Sequence, residues 1–197
     1  NFVLSRGAGT DYGDDAQFFL AEAYFLNEQF MLAIVEYENL TRKMAFSPFF
    51  EKARFRICEA YRIESPDYYN DQSYTEKALE RYIEFLDDFP ESEYNQNVTE
   101  SMSILRNKLA KKLYETGILY LKMDEFEPAR MSFNDALDQY YDTDIIDQIH
   151  YGIIKSFLKE KNIDQAKKYW LNKGKQHIVR EDLVKEIDQL FIKEQKQ

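Results

Sequence analysis

The chain has 197 residues, of which 44% are hydrophobic and 16% aromatic, and its formal net charge is −10. Six glycines and four prolines are few for a turn-rich β protein, so the composition favours long helices and predicts an all-α fold. The negative charge argues against a nucleic-acid partner, and no apolar run approaches the ~18 residues that a membrane-spanning helix needs.

The chain begins with Asn1 rather than a methionine. Phe2-Val3-Leu4 resembles the end of a helix already under way, so we expect a processed or truncated chain. Residues 11–41 carry seven acidic side chains and no lysine or arginine, whereas residues 155–180 carry eight basic side chains and two acidic ones. These segments are either solvated helix faces of opposite sign or two different contact surfaces.

Four stretches of the chain share one pattern, in which an aromatic residue is followed by an alanine and then by a second aromatic. Nine residues separate the first aromatic from the alanine in three of them, at Tyr24–Ala33, Tyr120–Ala129 and Phe157–Ala166. The fourth stretch runs from Tyr61 to Ala78 and needs seventeen. The second aromatic stands four residues beyond each alanine, at Tyr37, Tyr82, Phe133 and Trp170.

This spacing is typical of a helical hairpin. The alanine marks the closest approach of two antiparallel helices, and the aromatic one turn later packs against the next hairpin. Short polar turns at residues 27–29, 123–125 and 161–162 join the paired helices. The pattern resembles the tetratricopeptide repeat, which implies hairpins stacked into a right-handed solenoid.

Two intervals between alanines are longer than the 37 residues from Ala129 to Ala166. The 51-residue interval contains residues 92–123, which lack glycine and proline until Gly117 and predict one long helix after Pro90-Glu91-Ser92. That helix would join two halves of the protein rigidly. We therefore predict two domains: residues 1–90, with the end of a truncated first unit and two hairpins, and residues 91–197, with the connecting helix, two hairpins and a terminal helix.

The 45-residue interval contains an extended loop, predicted over residues 64–74. Ser65-Pro66 ends the preceding helix, because the residue before a proline is disfavoured in the helical conformation. In one interpretation this is a capped turn, in which Asp71 or Ser73 starts the next helix while Tyr68 and Tyr69 cover apolar surface. In the other it is a recognition loop, since long ordered loops on repeat arrays carry contacts.

Residues with catalytic potential are scattered. The single cysteine, Cys58, excludes an internal disulfide, and its neighbours predict a buried, inert thiol. His150 and His177 lack metal-site spacing, and His150 is expected to be packed or on the surface. Carboxylates form charged helix faces, and no nucleotide-binding glycine motif occurs. We predict a protein that is not an enzyme and holds neither metal nor cofactor.

A binding function remains, and the geometry of repeat arrays predicts its location. The first helix of each hairpin lines a groove, and helical phase selects these candidate positions: Phe18, Glu22, Phe25, Phe55, Glu59, Arg62, Tyr114, Ile118 and Leu121. The loop adds Tyr68, Tyr69, Asp71 and Gln72. Aromatic faces with single charges suit an extended peptide, and Arg62 could hold a carboxylate. The alternative is that half of the groove residues pack against the neighbouring repeat.

Several motifs in fixed order give a more specific resemblance. They are residues 65–78, the Asp88-Phe89-Pro90-Glu91-Ser92 segment, residues 105–115, and Tyr140-Tyr141-Asp142-Thr143, where Tyr141 replaces a proline. In this order, and over nearly the whole chain, the sequence resembles the BamD family, lipoprotein subunits of the bacterial outer-membrane β-barrel assembly (BAM) complex.

The resemblance implies a non-catalytic scaffold for inserting β-barrel proteins into the outer membrane. The amino-terminal half would capture unfolded outer-membrane protein segments. The carboxyl-terminal half would dock on the periplasmic domains of a BamA-like barrel subunit, with other BAM lipoproteins as further partners. The implied location is the periplasmic face of the outer membrane, through a lipid anchor absent from this chain. Cys58 lies mid-helix and cannot be that anchor, and residues 2–9 match the end of an incomplete first repeat.

Other interpretations stay open from the sequence. The basic segment 155–180 and the final amphipathic helix, with Leu183, Val184, Ile187, Leu190 and Phe191, form either a subunit interface or a helix that closes the array. The whole chain could instead be a generic tetratricopeptide adaptor or co-chaperone that binds peptide carboxylates. An enzyme regulated by repeats would require a catalytic domain outside these residues.

Overall fold

The computed structural model describes residues 13–194. Helices and the short segments between them account for this whole range. The helices, in chain order, are α1 (Gly13–Leu26), α2 (Phe30–Lys43), α3 (Phe50–Glu64), α4 (Ser73–Asp88), α5 (Asn95–Lys122), α6 (Phe126–Gln139), α7 (Ile146–Lys159), α8 (Ile163–Tyr169), the short α9 (Lys175–His177) and α10 (Glu181–Glu194). A π-helical turn, Trp170–Gly174, separates α8 from α9. The all-α prediction is confirmed, while the expected helix end at residues 2–9 lies outside the described range.

Contacts among the described residues define two compact units, divided between Leu105 and Arg106. In the first unit α1 packs on α2, α2 on α3, and α3 on α4. In the second unit α6 packs on α7, and α7 packs on α8 and α10. Successive packed pairs are the arrangement expected of a tetratricopeptide-like repeat fold. The predicted domain division after residue 90 stays a prediction.

Three hairpin turns have the same backbone geometry. Their middle residues Glu28, Asp124 and Lys161 adopt positive φ angles of 58°, 59° and 62°. The next residue then donates its amide hydrogen back to the aromatic residue of the first helix, from Gln29 to Tyr24, from Glu125 to Tyr120 and from Asn162 to Phe157, at 2.8–3.0 Å. One residue in the left-handed conformation is therefore enough to reverse the chain, in agreement with the short polar turns predicted from the sequence.

The alanine and aromatic positions of the repeat are buried as expected. Ala33, Ala78, Ala129 and Ala166 are completely inaccessible to solvent, and so are Tyr37, Tyr82 and Phe133. Trp170 retains only 8% of its accessible surface. Burying an aromatic side chain against its neighbours contributes roughly 1.5–3 kcal/mol to folding, so these positions hold each hairpin together.

The long helix α5 extends for 28 residues, which confirms the prediction of a continuous helix after Ser92. Its early residues Val98 and Leu105 belong to the core of the first unit. Its later residue Leu121 belongs to a core of the second unit. Near the middle, Arg106 donates to the Asp142 carboxylate from both Nε and Nη2. Its Nη2 also donates to the Gln139 carbonyl at 3.0 Å, which fixes the end of α6.

The carboxyl-terminal helix α10 covers α7 with its apolar face. Leu183, Ile187 and Phe191 are buried in a cluster with Tyr151 and Ile154 of α7. The apolar face is thus occupied by the chain's own residues, as the closing-helix interpretation expects. Among the described residues, no helix is both long enough and apolar enough to cross a membrane.

Candidate protein-binding groove

The first hairpin, α1 with α2, presents two of its three predicted groove residues at the surface. Phe18 is the exception: its ring stacks on Phe49 at 4.5 Å between centroids, and only 2% of the residue is accessible. The expectation that Phe18 faces outward is wrong, because this aromatic fills the interface with the next helix. Phe25 is half-buried, and the Arg56 guanidinium lies over its ring at 4.7 Å.

Glu22 is the centre of a polar cluster in this hairpin. Its carboxylate accepts a hydrogen bond from the Tyr37 hydroxyl and another from Arg56 Nε at 2.8 Å. Burial is the main reason that the pKa of Tyr37 is raised, and the neighbouring Glu22 raises it further. Glu22 is thus held in one position by the second helix of its own hairpin and by the first helix of the next.

The second hairpin, α3 with α4, repeats this arrangement with a different cation. Glu59 accepts hydrogen bonds from the Tyr82 hydroxyl and from Arg62, whose Nη2 lies 2.7 Å away. Burial acts to raise the pKa of Glu59, but the hydrogen bonds from Arg62 and Tyr82 outweigh it, and the pKa lies below its ordinary value. The expectation that Arg62 is a single charge available to a ligand is wrong, because Glu59 already neutralises it.

Phe55 lies one turn before Glu59 and stacks on Tyr94 at 4.4 Å between centroids. It is half-buried, so one side of the ring is used for packing. Arg56 was missed as a groove residue in the sequence, because its partners Glu22 and Phe25 lie in another hairpin. The Glu59–Arg62 pair has a helical three-residue spacing and could have been found there.

The loop between α3 and α4 covers residues 65–72, and α4 begins at Ser73, as the capped-turn interpretation expects. Gln72 is 4% accessible and points inward: its Nε2 donates to the carbonyls of Asp67 and Asn70 at 2.9 and 3.1 Å. Its Oε1 accepts from the Thr75 hydroxyl at 2.8 Å. Gln72 therefore closes the loop instead of facing a partner, and its assignment as a contact residue is wrong.

The outer side of the loop carries two adjacent tyrosines. Tyr69 is 68% accessible, and its hydroxyl donates to Asp67 at 2.9 Å. Tyr68 is half-buried and meets the Tyr69 ring edge to face at 5.4 Å. Asp71 is exposed and accepts the amide hydrogen of Ser73, the first residue of α4, at 3.0 Å. The loop is thus ordered from inside and presents an aromatic surface outside.

Tyr114 is the predicted groove residue of the second unit. It is half-buried, its ring centroid lies 5.9 Å from that of Phe133, and burial raises its pKa. Ile118 is also half-buried, whereas Leu121 is 4% accessible and belongs to the core. Together with Tyr151 and Gly152, these side chains line a cleft in the second unit.

The remaining reactive side chains are occupied by packing. Cys58 is 1% accessible, and burial raises the pKa of its thiol to about 12, as the prediction of an inert thiol requires. His150 is 4% accessible, its Nδ1 lies 2.7 Å from the Tyr169 hydroxyl, and its ring stacks on His177. Within residues 13–194 no cluster of three or more metal-binding side chains is found.

Comparison with known proteins agrees with the motifs in the sequence. A family model described as YfiO, outer membrane lipoprotein, matches residues 5–169. A relative from Rickettsia prowazekii (strain Madrid E), named outer membrane protein assembly factor BamD, is 24% identical over 174 residues. The alignment covers 85% of this chain and 66% of the relative, so the chain spans just under two thirds of that protein's length. The resemblance to the BamD family is confirmed.

Proposed function

Since the chain belongs to the YfiO family of outer membrane lipoproteins, we propose that it is a non-catalytic scaffold for assembling β-barrel proteins into the outer membrane. The family match over residues 5–169 carries this proposal, and the name of the Rickettsia relative supports it. The match favours this function over a generic adaptor that binds peptide carboxylates.

The proposed location is the periplasmic face of the outer membrane. The family description as lipoproteins supports attachment through a lipid anchor. Cys58 is buried in the middle of α3 and is not available for lipid attachment.

The first unit is proposed to hold unfolded outer-membrane protein segments. Its exposed surface combines the Tyr69 ring with the half-buried Phe25, Phe55 and Tyr68 rings, beside the paired charges of Glu22 and Glu59. Extended segments with alternating apolar and polar side chains fit such a surface, because aromatic rings contact the apolar residues while ion pairs exchange hydrogen bonds with polar ones. Asp71 adds an exposed carboxylate at the loop.

The second unit is proposed to dock on the periplasmic domains of a BamA-like barrel-forming subunit, and other BAM lipoproteins are proposed as further partners. Its exposed lysines, among them Lys161, Lys168 and Lys173, support contact with an acidic protein surface. The apolar face of α10 is not available for this contact, since it packs on α7.

Affinity purification from native envelope tests the proposal. A tagged chain is added to detergent-solubilised envelope, and the bound proteins are identified by mass spectrometry. We expect a barrel-forming outer-membrane subunit to be enriched over a control tetratricopeptide protein of similar size and charge. Enrichment of soluble chaperones without any barrel subunit would contradict the scaffold and favour the adaptor.

A further inference from the structure

A cleft of about 170 Å³ in the second unit has an aromatic floor and a basic edge. Its floor includes Tyr114 and Ile118 of α5 and Tyr151 of α7, and its edge carries Lys122, Lys155 and Lys159. An apolar cavity of about 150 Å³ is large enough for a benzene ring. The cleft is therefore large enough for one aromatic side chain.

The two helices place matching residues along the cleft. Tyr114 and Tyr151, and Lys122 and Lys159, are each separated by the 37 residues that relate Ala129 to Ala166. In both helices the tyrosine precedes the lysine by eight residues, which is about 12 Å along a helix that rises 1.5 Å per residue. The cleft therefore has an aromatic end and a cationic end.

The lysines are not equally available. Lys159 Nζ donates to the Leu121 carbonyl at 2.8 Å and lies 3.2 Å from Asp124. Lys155 Nζ lies 5.3 Å from the centre of the Tyr151 ring, and Lys122 is exposed. Neither of these two ammonium groups forms an ion pair with a carboxylate within residues 13–194. Two positive charges thus remain uncompensated beside the cleft.

Acidic side chains lie near both ends of the cleft: Glu186 at the aromatic end, and Asp124, which pairs with Lys159, at the cationic end. The Tyr151 hydroxyl donates a hydrogen bond to Glu186 of α10. Glu186 repels an anion from the tyrosine end, where the Lys155 ammonium lies over the Tyr151 ring, whereas Lys122 attracts an anion to the opposite end. An acidic ligand is therefore favoured with its carboxylate at the Lys122 end.

We propose that this cleft binds an extended segment of a partner protein in which an aromatic residue stands three or four positions from an aspartate or glutamate. An extended chain advances about 3.3 Å per residue, so this spacing matches the two ends of the cleft. The ring would contact the tyrosines and the Lys155 ammonium, and the side-chain carboxylate would pair with Lys122. A phospholipid phosphate would satisfy the lysines but leave the aromatic end empty.

Fluorescence polarisation with a labelled twelve-residue peptide tests this inference. The peptide carries one phenylalanine, followed three and four residues later by glutamates, in a glycine–serine background. Titration with the whole chain at low salt is expected to give saturable binding, weakened about 10-fold by Phe→Ala or by Glu→Gln in the peptide. Equal binding of the glutamine peptide would overturn the proposal.

Lysine variants locate the site. Lys122→Glu with Lys155→Glu is expected to weaken binding at least about 10-fold, whereas the matched reversal Lys168→Glu with Lys175→Glu, on exposed residues of α8 and α9, changes it less than about 2-fold. The neutral pair Lys122→Gln with Lys155→Gln, checked by circular dichroism, separates charge loss from misfolding. Unchanged binding by a folded glutamine pair would overturn the proposal.

Vesicles containing phosphatidylglycerol provide the last comparison. The proposal expects that they do not compete with the peptide. Competition that is lost in the Lys122→Gln, Lys155→Gln pair would overturn the protein assignment and identify a lipid headgroup site. Because these measurements use only the purified chain, peptides and vesicles, their failure is distinguishable from a failure to capture a barrel subunit from envelope.

Discussion

The first two hairpins and the third, formed by the end of α5 with α6, fill the same repeat position in different ways. Four residues after the alanine of the repeat, the first two hairpins carry Tyr37 and Tyr82, which donate hydrogen bonds to Glu22 and Glu59. The third carries Phe133. A similar helical hairpin can therefore be held by a buried polar pair or by an apolar ring.

The opposite helix changes together with the ring. Two residues before the first aromatic of the repeat, the first two hairpins have Glu22 and Glu59. The third hairpin has Ile118 at this position. Phe133 then lies between two glycines: a Cβ atom added to Gly152 would come within 2.7 Å of its ring, and one added to Gly117 would also clash. The apolar version replaces hydrogen-bonding specificity with close shape complementarity.

The largest expected effect comes from removing the apolar ring. Phe133→Ala should lower the free energy of unfolding of the second unit by about 3–5 kcal/mol, because the lost ring leaves a cavity that the surrounding core residues fill only in part. Urea denaturation followed by Trp170 fluorescence measures this, since Trp170 belongs to the same unit. Met131→Ala, an exposed position on α6, is the control and should change stability by less than about 0.5 kcal/mol.

Replacing the apolar ring of Phe133 with one that carries a hydroxyl should also destabilise the second unit. Phe133→Tyr is expected to lower the free energy of unfolding by about 2–3 kcal/mol, because the new hydroxyl has no carboxylate at Ile118 and no space beside Gly152. The same denaturation experiment measures it. A Phe133→Tyr protein as stable as the original chain would show that the two versions are interchangeable.

The buried histidine should make the second unit sensitive to mild acid. Burial lowers the pKa of His150 to about 4, and neighbouring His177 and Lys173 act in the same direction while Asp147 opposes them. The unfolded chain binds the proton near pH 6.5, so stability is complete above that pH and falls as the pH decreases towards 4. Between pH 7 and pH 5 we expect a loss of about 2 kcal/mol.

Denaturation of the His150→Gln variant tests this assignment, because glutamine can still bond to Tyr169 but does not titrate in this range. Its stability should change less between pH 7 and pH 5 than that of the original chain. The exposed His177→Gln variant is the control and should keep most of the pH dependence. Glu59, by contrast, has a lowered pKa, so its contribution in the first unit is lost only in more acidic solution.

The smallest expected effect is removal of one hydroxyl from the polar version. Tyr82→Phe should lower the free energy of unfolding by about 1 kcal/mol, because Glu59 keeps its pairing with Arg62 after the hydrogen bond is lost. Far-ultraviolet circular dichroism reports the helices of both units, so the part of the urea transition that Trp170 fluorescence does not follow measures the first unit. A loss of stability larger than that caused by Phe133→Tyr would contradict the expectation that the polar pair tolerates a changed ring better than the apolar core does.

The repeat itself could be predicted from the sequence because its signals are local. Ala33 and Tyr37 lie one turn apart on one helix, and a hairpin turn needs only one residue like Glu28. The long helix α5 was equally evident from its apolar period. These features depend on backbone geometry within a few residues, so no knowledge of distant contacts was required.

Some surface predictions failed because they depended on partners elsewhere in the chain. Phe18 has the phase of a groove residue, but Phe49 from the following segment covers it. Gln72 lies in a polar loop, but the loop's own carbonyls bind its amide. Arg62 is different: its partner Glu59 lies three residues earlier on the same helix, so this pairing could have been predicted from the spacing.

The most direct test of the scaffold function is photo-crosslinking in the native envelope from a benzoylphenylalanine placed at Tyr69. Tyr141 is the matched control, since it is 73% accessible and belongs to the second unit. The account predicts that position 69 crosslinks to outer-membrane proteins during their synthesis and position 141 does so much less. Equal labelling at both positions, or none at position 69, would contradict it.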